Sequence, residues 1–385
     1  MNIIENKSQT AIVVVGYNRL DSLKRLLSSL EQSQYDGDTI PLIISIDASG
    51  NEELYNFVKA YNWIYGPCYV NIQTQRLGLK KHILQCGNLT RFFKSIVLLE
   101  DDIVVSPYFY KYVKTAVEYY SSDKTVAQIS LYRNEVNGFV HLPFEPRYSG
   151  ADVFLMQDIS TWGECWTEDM WNDFIEWYDQ HDENYVNKVR MPEKIKKWTR
   201  AWSKYYYAYI IDTRKYVLFP YISLTTNYSE AGEHDEVGTI SLQTNMLYGE
   251  MTYTMRDSTD LERYDAYCNN EILYESLSLE KDQLELDLYG YGELDNSKQY
   301  LLSTQILPYK VVKSFSLCMR PIEQNVISNI LGRGIYLYDK SVLDKAENKE
   351  NLFLAFYYIR GVRTSLILGY LRSVILSFIR KRLKL

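Results

Sequence analysis

Over residues 1–135, short apolar runs alternate with longer stretches whose apolar positions recur every three or four residues. Residues 11–15, 41–46, 69–75 and 126–131 are rich in β-branched, aliphatic and aromatic side chains, the composition of buried strands. Between them, Leu23, Leu26, Leu27 and Leu30 mark one helix face, and Leu54, Phe57, Val58 and Tyr61 mark a second. Ile83 and Leu84 lie in a third helical stretch, and Phe109, Val113, Ala116, Val117 and Tyr120 in a fourth. Strands separated by helices of this length connect in parallel through crossovers, so the pattern predicts an α/β domain on a mostly parallel sheet. Chain polarity then gathers the loops that follow the strands at one rim, among them Tyr17, Arg19, Asp47, Arg76 and Asp101.

Residues 95–107 read Ser-Ile-Val-Leu-Leu-Glu-Asp-Asp-Ile-Val-Val-Ser-Pro. A buried strand here delivers Glu100, Asp101 and Asp102 to the sheet edge where ligands bind. Three adjacent acids repel one another, and a cation relieves that repulsion. Successive strand residues point to opposite sides, so Asp101 and Asp102 do different work. One binds a hard divalent ion while the other accepts hydrogen bonds from a ligand hydroxyl. Such an ion completes its shell with water and substrate phosphates, which points to a nucleotide diphosphate. The competing reading is a solvated acidic turn after a core strand.

The chain has 385 residues, enough for two domains or for one domain with a substantial extension. A net charge of −7 speaks against a generic nucleic-acid binder. The cysteines Cys68, Cys86, Cys165, Cys268 and Cys318 form no CxxC pair, so neither a disulfide framework nor a zinc site is indicated and a reducing compartment fits. Residues 1–10 are polar and lack the apolar centre of a signal peptide, so a cytoplasmic location is expected. The 36 tyrosines suit carbohydrate contacts, and they suit cores and interfaces equally well. The loop at 16–19 lacks the G-x-G-x-x-G fingerprint of a dinucleotide site.

Three pieces in order carry a family resemblance: Val-Val-Gly-Tyr-Asn-Arg at 14–19, Ile-Ser-Ile-Asp-Ala-Ser-Gly at 44–50, and Leu-Glu-Asp-Asp-Ile-Val-Val-Ser-Pro at 99–107. Over roughly residues 1–240 they resemble the nucleotide-sugar domain of GT-A glycosyltransferases. The look is that of the inverting N-acetylglucosaminyltransferase I family and its bacterial surface-polysaccharide relatives. The resemblance implies a Rossmann-like α/β fold that transfers a sugar from a nucleotide-diphosphate donor, UDP-sugar favoured, to a glycan or lipid-linked glycan. It implies that Asp102 coordinates Mn²⁺ or Mg²⁺ on the donor diphosphate and that Asp101 faces the ribose or sugar. Asp47 would hold the base or ribose, Arg19 would lie near the phosphates, and Tyr17, Arg76 and Glu100 would belong to the same nucleotide-sugar site. Simpler roles compete for two of these: Asp47 capping the next helix and Arg19 pairing with an acid. Glu-Ala-Gly-Glu-His at 230–234 resembles an element that brings a histidine to the metal, which implies His234 as a ligand favouring Mn²⁺.

Residues 161–171, Thr-Trp-Gly-Glu-Cys-Trp-Thr-Glu-Asp-Met-Trp, combine indoles with carboxylates. Indole faces suit a sugar ring, and a carboxylate between them gains the raised pKa of a general base. Relatives carry a glycine- and aromatic-rich stretch here that closes on the donor sugar, which implicates Trp162. Glu164 departs from the usual second aromatic, so the base stays open among Glu164, Glu168 and Asp169, with Glu164 first. The alternative is that the tryptophans are core and that Glu168 and Asp169 open a helix.

The expected domains are 1–250, divided into a nucleotide-sugar half at 1–135 and an acceptor half at 136–250, then an accessory α/β domain at 251–345. Terminal helices at 346–385 carry the apolar runs 352–358 and 364–379, with Arg360, Arg363, Arg372, Arg380, Lys381, Arg382 and Lys384 and no acid after Glu350. Arg372 interrupts a run already short for a membrane span. The segment therefore reads either as a helix lying on an anionic membrane surface or as one packed on the protein. Two rival functions remain: a non-catalytic nucleotide-sugar or glycan-binding module, and a sugar-phosphate nucleotidyltransferase. The second would want a glycine-rich basic loop that residues 16–19 do not provide.

Overall fold

A computed structural model of the chain describes residues 3–228, 242–344, 352–359 and 361–383. The chain divides into two compact units, Met1–Ile272 and Leu273–Leu385.

The first unit begins with β1 (Asn6–Gly16), α1 (Leu20–Glu31), β2 (Leu42–Ile46), α2 (Glu52–Ala60), β3 (Cys68–Ile72), α3 (Leu79–Gly87), β4 (Phe93–Glu100), β5 (Ile103–Val105), α4 (Phe109–Tyr120) and β6 (Val126–Ser130). A hairpin of β7 (Val136–Asn137) and β8 (Leu142–Pro143) follows, then β9 (Val153–Met156), β10 (Glu164–Thr167) and α5 (Glu168–Gln180). Two single turns, α6 (Glu183–Val186) and α7 (Glu193–Lys196), lead to α8 (Ser203–Asp212), β11 (Tyr216–Pro220), β12 (Thr225–Asn227) and β13 (Arg263–Tyr264). Nine strands form one sheet in the order β13-β9-β11-β6-β10-β4-β1-β2-β3. Pairing is parallel for β1 with β2 and β4, β2 with β3, β6 with β11, and β9 with β13. Antiparallel pairs join β10 to β4 and β6, and β9 to β11. This is the α/β architecture expected, a mostly parallel sheet flanked by helices.

Burial explains the elements. Ile12, Val13 and Val14 of β1 and Ile96 to Leu99 of β4 are fully buried, because covered parallel strands need apolar side chains on both faces. Leu23, Leu26, Leu27 and Leu30 of α1 are at most 1% exposed, and each such side chain contributes roughly 1.5–3 kcal/mol on burial. Trp166, Trp171 and Trp202 are also core. Trp166 meets Trp171 edge-on at 5.0 Å, and its Nε1 donates to Tyr206 Oη at 3.0 Å. Two of the three tryptophans at 161–171 are therefore structural.

Residues 216–227 form two elements, since β11 ends at Pro220 and β12 leaves the sheet to pair antiparallel with β5. One boundary differs from the sequence reading. The division between units falls after Ile272 instead of after residue 250, because β13 adds to the edge of the large sheet beside β9.

Beyond the junctional α9 (Ile272–Leu277), the second unit contains β14 (Leu284–Asp287), β15 (Tyr300–Ser303), β16 (Tyr309–Ser316), α10 (Gln324–Ile327) and β17 (Gly334–Leu343). Its sheet runs β14-β15-β17-β16 and holds a buried ion pair, Lys340 to Glu285 at 3.1 Å. The chain closes with α11 (Leu352–Ile359) and α12 (Thr364–Leu383). Leu366, Leu368, Tyr370, Ile375 and Phe378 of α12 are more than half exposed. Among the described residues, no helix is long and apolar enough to cross a membrane.

Candidate active site

β4 lies between β1 and β10 and delivers its acids to the carboxyl rim of the sheet. Asp101 is 4% exposed and accepts hydrogen bonds from the Arg19 guanidinium and the backbone N–H of Tyr17. Arg19 Nη1 also donates to Asp102 Oδ2 at 3.1 Å. Arg19 is thus the counter-ion of both aspartates, held there by the loop after β1. Burial works against its charge, yet the two carboxylates more than offset this and raise its pKa. Burial lifts Asp101 to about 6 despite Arg19, and burial with the charges of Asp102 and Asp101 lifts Glu100 to about 8. Asp102 Oδ1 is buried and has no hydrogen-bond partner. An orphaned carboxylate oxygen beside a second acid fits a hard divalent cation, with remaining positions for water and phosphate. The described residues contain no group of three acidic, histidine or cysteine side chains that could hold a metal without such added ligands.

The strand after these acids is tied to the rest of the rim. Ile103 pairs with Asn227, Tyr228 N donates to Asp102 O at 2.8 Å, and Arg25 lies over the Tyr228 ring at 3.7 Å. The Thr225 hydroxyl in turn donates to the carbonyl of Trp162, which links the acidic turn to the tryptophan loop.

Asp47 is turned to structural work. It accepts from Ala48 N at 2.8 Å, Leu77 N at 2.8 Å and Gly78 N at 2.9 Å, so it fixes the turn that opens α3. The helix that follows it directly, α2, is capped by Asn51. Tyr17 and Arg76 meet at the same rim, the guanidinium 4.6 Å from the ring centroid. This pairing offers a flat cationic surface where a base would stack.

The three base candidates fall elsewhere than expected. β10 runs antiparallel to β4, so it begins at the acidic rim with Glu164 opposite Leu98 and ends at the other rim with Thr167 opposite Ser95. Glu168 and Asp169 open α5 at that far edge, where Glu168 pairs with Lys7 at 2.7 Å and Asp169 with Lys124 at 3.3 Å. They sit on the wrong side of the sheet for chemistry at Asp102. Glu164 is at the correct edge but 0% exposed, inside the sheet, with neither carboxyl oxygen hydrogen-bonded. Its pKa is pushed well above 4.5 by burial and then by Glu100; the Gln128 amide opposes the rise without making a full hydrogen bond. An acceptor hydroxyl cannot touch it. Trp162 is half-buried at the rim, edge-on to Tyr132 at 4.7 Å. The next residue, Gly163, has φ +106, and a Cβ there would lie 2.9 Å from Thr225 Cγ2. His234 lies outside the described residues.

One carboxylate escaped the sequence reading. Asp158 follows β9 and accepts from Asn134 Nδ2 at 2.7 Å and Ile159 N at 2.8 Å. Burial, then the charges of Glu135 and Asp158, raise the pKa of Tyr132, which packs on Trp162. Burial pushes the Asp158 pKa up to about 7. Asp158 closely follows the apolar run Val-Phe-Leu-Met, but β9 runs antiparallel to β4, so that strand ends at the rim opposite Glu100 to Asp102.

No protein-family profile matches the chain. It is 26% identical over 193 residues to the alpha-1,3-mannosyl-glycoprotein 2-beta-N-acetylglucosaminyltransferase of Arabidopsis thaliana, covering 44% of this chain and 43% of that protein. The resemblance to GT-A nucleotide-sugar glycosyltransferases therefore stands. The chain spans less than half the length of that relative. Among solved structures it is similar to S. aureus TarS 1–349 in complex with UDP-GlcNAc, at 13% identity and TM-score 0.38, over 59% of this chain and 60% of that one. It is also similar to the mannosyltransferase PcManGT of Pyrobaculum calidifontis in complex with GDP-Man and Mn²⁺, at 14% identity and TM-score 0.31, over 44% and 46%.

Proposed function

We propose that this chain is a metal-dependent, inverting glycosyltransferase that moves a sugar from a nucleotide-diphosphate donor to a glycan. The observation that carries the reading is the acidic turn: Asp101 and Asp102 at the carboxyl rim, neutralised by Arg19, with one Asp102 oxygen lacking any partner. Asp102, with water and the donor phosphates, would hold a divalent cation. Once bound, that cation would neutralise charge developing on the leaving diphosphate. Asp101 and Arg19 hold the turn rigid, and Tyr17 with Arg76 receives the base. Of the three carboxylates expected as base, Glu168 and Asp169 lie at the far rim and Glu164 is fully buried, so this reading assigns the deprotonation to none of them. In this reading the acceptor hydroxyl gives its proton to a general base as its oxygen bonds to the anomeric carbon. The bond from that carbon to the diphosphate breaks on the opposite side, giving inversion in one displacement.

The acceptor we infer is a free or lipid-linked glycan of the kind built into bacterial surface polysaccharide. The exposed apolar positions of α12, in a terminal segment with basic residues and no acids, support a seat on an anionic membrane surface. The test of the activity is release of nucleoside diphosphate from a panel of nucleotide sugars by wild type and Asp102→Asn. Release by wild type that collapses in the variant supports the reading. Binding without release in the wild type would favour a non-catalytic module.

A further inference from the structure

A cavity of about 400 Å³ opens beside the end of β11, lined by Tyr148, Asp152, Tyr221, Leu247, Met251 and Tyr253 among others. β6 and β11 run parallel to β4, because β10 is antiparallel to β4 and β6, so β11 ends at the same rim as Glu100. β9 is antiparallel to β11 and therefore starts there, with Pro220 opposite Val153 and Asp152 just before it. β11 and β9 lie three and four strands from β4, which at about 4.8 Å per strand places the cavity roughly 15–20 Å along the rim from the acidic turn. Trp162 and Tyr132 lie on the strand ends between them, before β10 and after β6.

The lining has the chemistry that recognises a pyranose. Tyr148 is 62% exposed and meets Tyr221 edge-on at 5.1 Å, while the Tyr221 hydroxyl donates to the Arg147 carbonyl and holds its ring in place. Rings fixed in this way present apolar area to the C–H face of a sugar at small entropic cost. Asp152 is anchored at one carboxyl oxygen by Thr254 N at 2.6 Å, and its other oxygen lies 3.5 Å from Tyr148 Oη, a long contact that leaves acceptor capacity. The Tyr253 hydroxyl is buried, has no hydrogen-bond partner and feels the charge of Asp152. A sugar hydroxyl satisfies both groups, and a cavity of this size accommodates a sugar residue.

We infer that this cavity is a remote subsite for a sugar residue of an extended glycan acceptor, several strands away from the residue that receives the new sugar. The inference rests on the glycosyltransferase reading and specifies its acceptor: an oligosaccharide or polysaccharide, not a monosaccharide. Binding is measured on the full chain without donor, by titration calorimetry against pyranose oligomers from monomer to hexamer, including N-acetylglucosamine, mannose and glucose series. At least one series should bind about tenfold more tightly as hexamer than as monomer. Tyr148→Ala and Tyr253→Phe should each remove roughly fivefold or more of that gain, and Tyr148→Trp should retain it. Tyr148 is exposed and Tyr253→Phe removes a single oxygen, so a thermal melt that matches wild type separates lost binding from lost folding. Equal affinity for monomer and hexamer in every series, or a gain that survives both variants, overturns the inference. Nucleotide-sugar breakdown by wild type and Asp102→Asn, measured alongside, reports on the parent reading separately.

Discussion

Replacing Glu164 by glutamine should leave glycosyl transfer intact and make the chain progressively more stable, relative to wild type, as the pH rises. The carboxyl group is 0% exposed in β10 between β4 and β6, and the charge of Glu100 adds to burial in disfavouring its ionisation. The folded chain therefore keeps the proton well above 4.5, whereas the unfolded chain releases it near that ordinary value. A group whose folded pKa is raised contributes stability fully below the unfolded pKa and loses it as pH climbs toward the folded one. Within that window the wild type loses about 1.4 kcal/mol per pH unit through this group. Glutamine keeps the shape and does not titrate, so the variant should gain on wild type as the pH climbs above the unfolded value. Urea unfolding of both chains at several pH values measures the difference directly. A difference that does not change with pH would refute the buried, protonated state. A loss of several orders of magnitude in kcat would restore Glu164 as the base.

Two further outcomes follow from named contacts. Gly163→Ala should cost about 1–3 kcal/mol in chemical unfolding, since a side chain at φ +106 is strained and its Cβ presses on Thr225; an unchanged midpoint would contradict the tight packing. Removing residues 364–385 should abolish flotation with anionic liposomes, and equal flotation by both chains would exclude α12 as the membrane contact.

The parallel half of the sheet and the acidic turn were legible because they rest on local regularities. An apolar run followed by acids fixes both a strand and the rim to which it delivers them, as at Glu100 to Asp102. The placement of the base candidates was not legible, because it depends on strand direction. Four residues, Glu-Cys-Trp-Thr, carry no mark of being antiparallel, yet that direction sends Glu168 and Asp169 to the far rim and turns Glu164 inward. Arg19 and Asp47 were placed at the correct rim with other partners than expected. A guanidinium beside two carboxylates and a carboxylate beside free turn N–H groups satisfy each other at contact distance, which residue type alone does not reveal. Trp166 and Trp171 show the reverse case: large aromatic surfaces that suggest a sugar platform but are more stable buried against Tyr206 and Phe174.

Titration calorimetry of the full chain with nucleoside diphosphates, with and without Mn²⁺, in wild type and Asp102→Asn tests the central claim most directly. The predicted result is that one nucleotide binds wild type only with the metal and that Asp102→Asn loses this binding. Binding that ignores both the metal and Asp102, or no binding of any nucleotide, would return residues 100–102 to an acidic turn neutralised by Arg19.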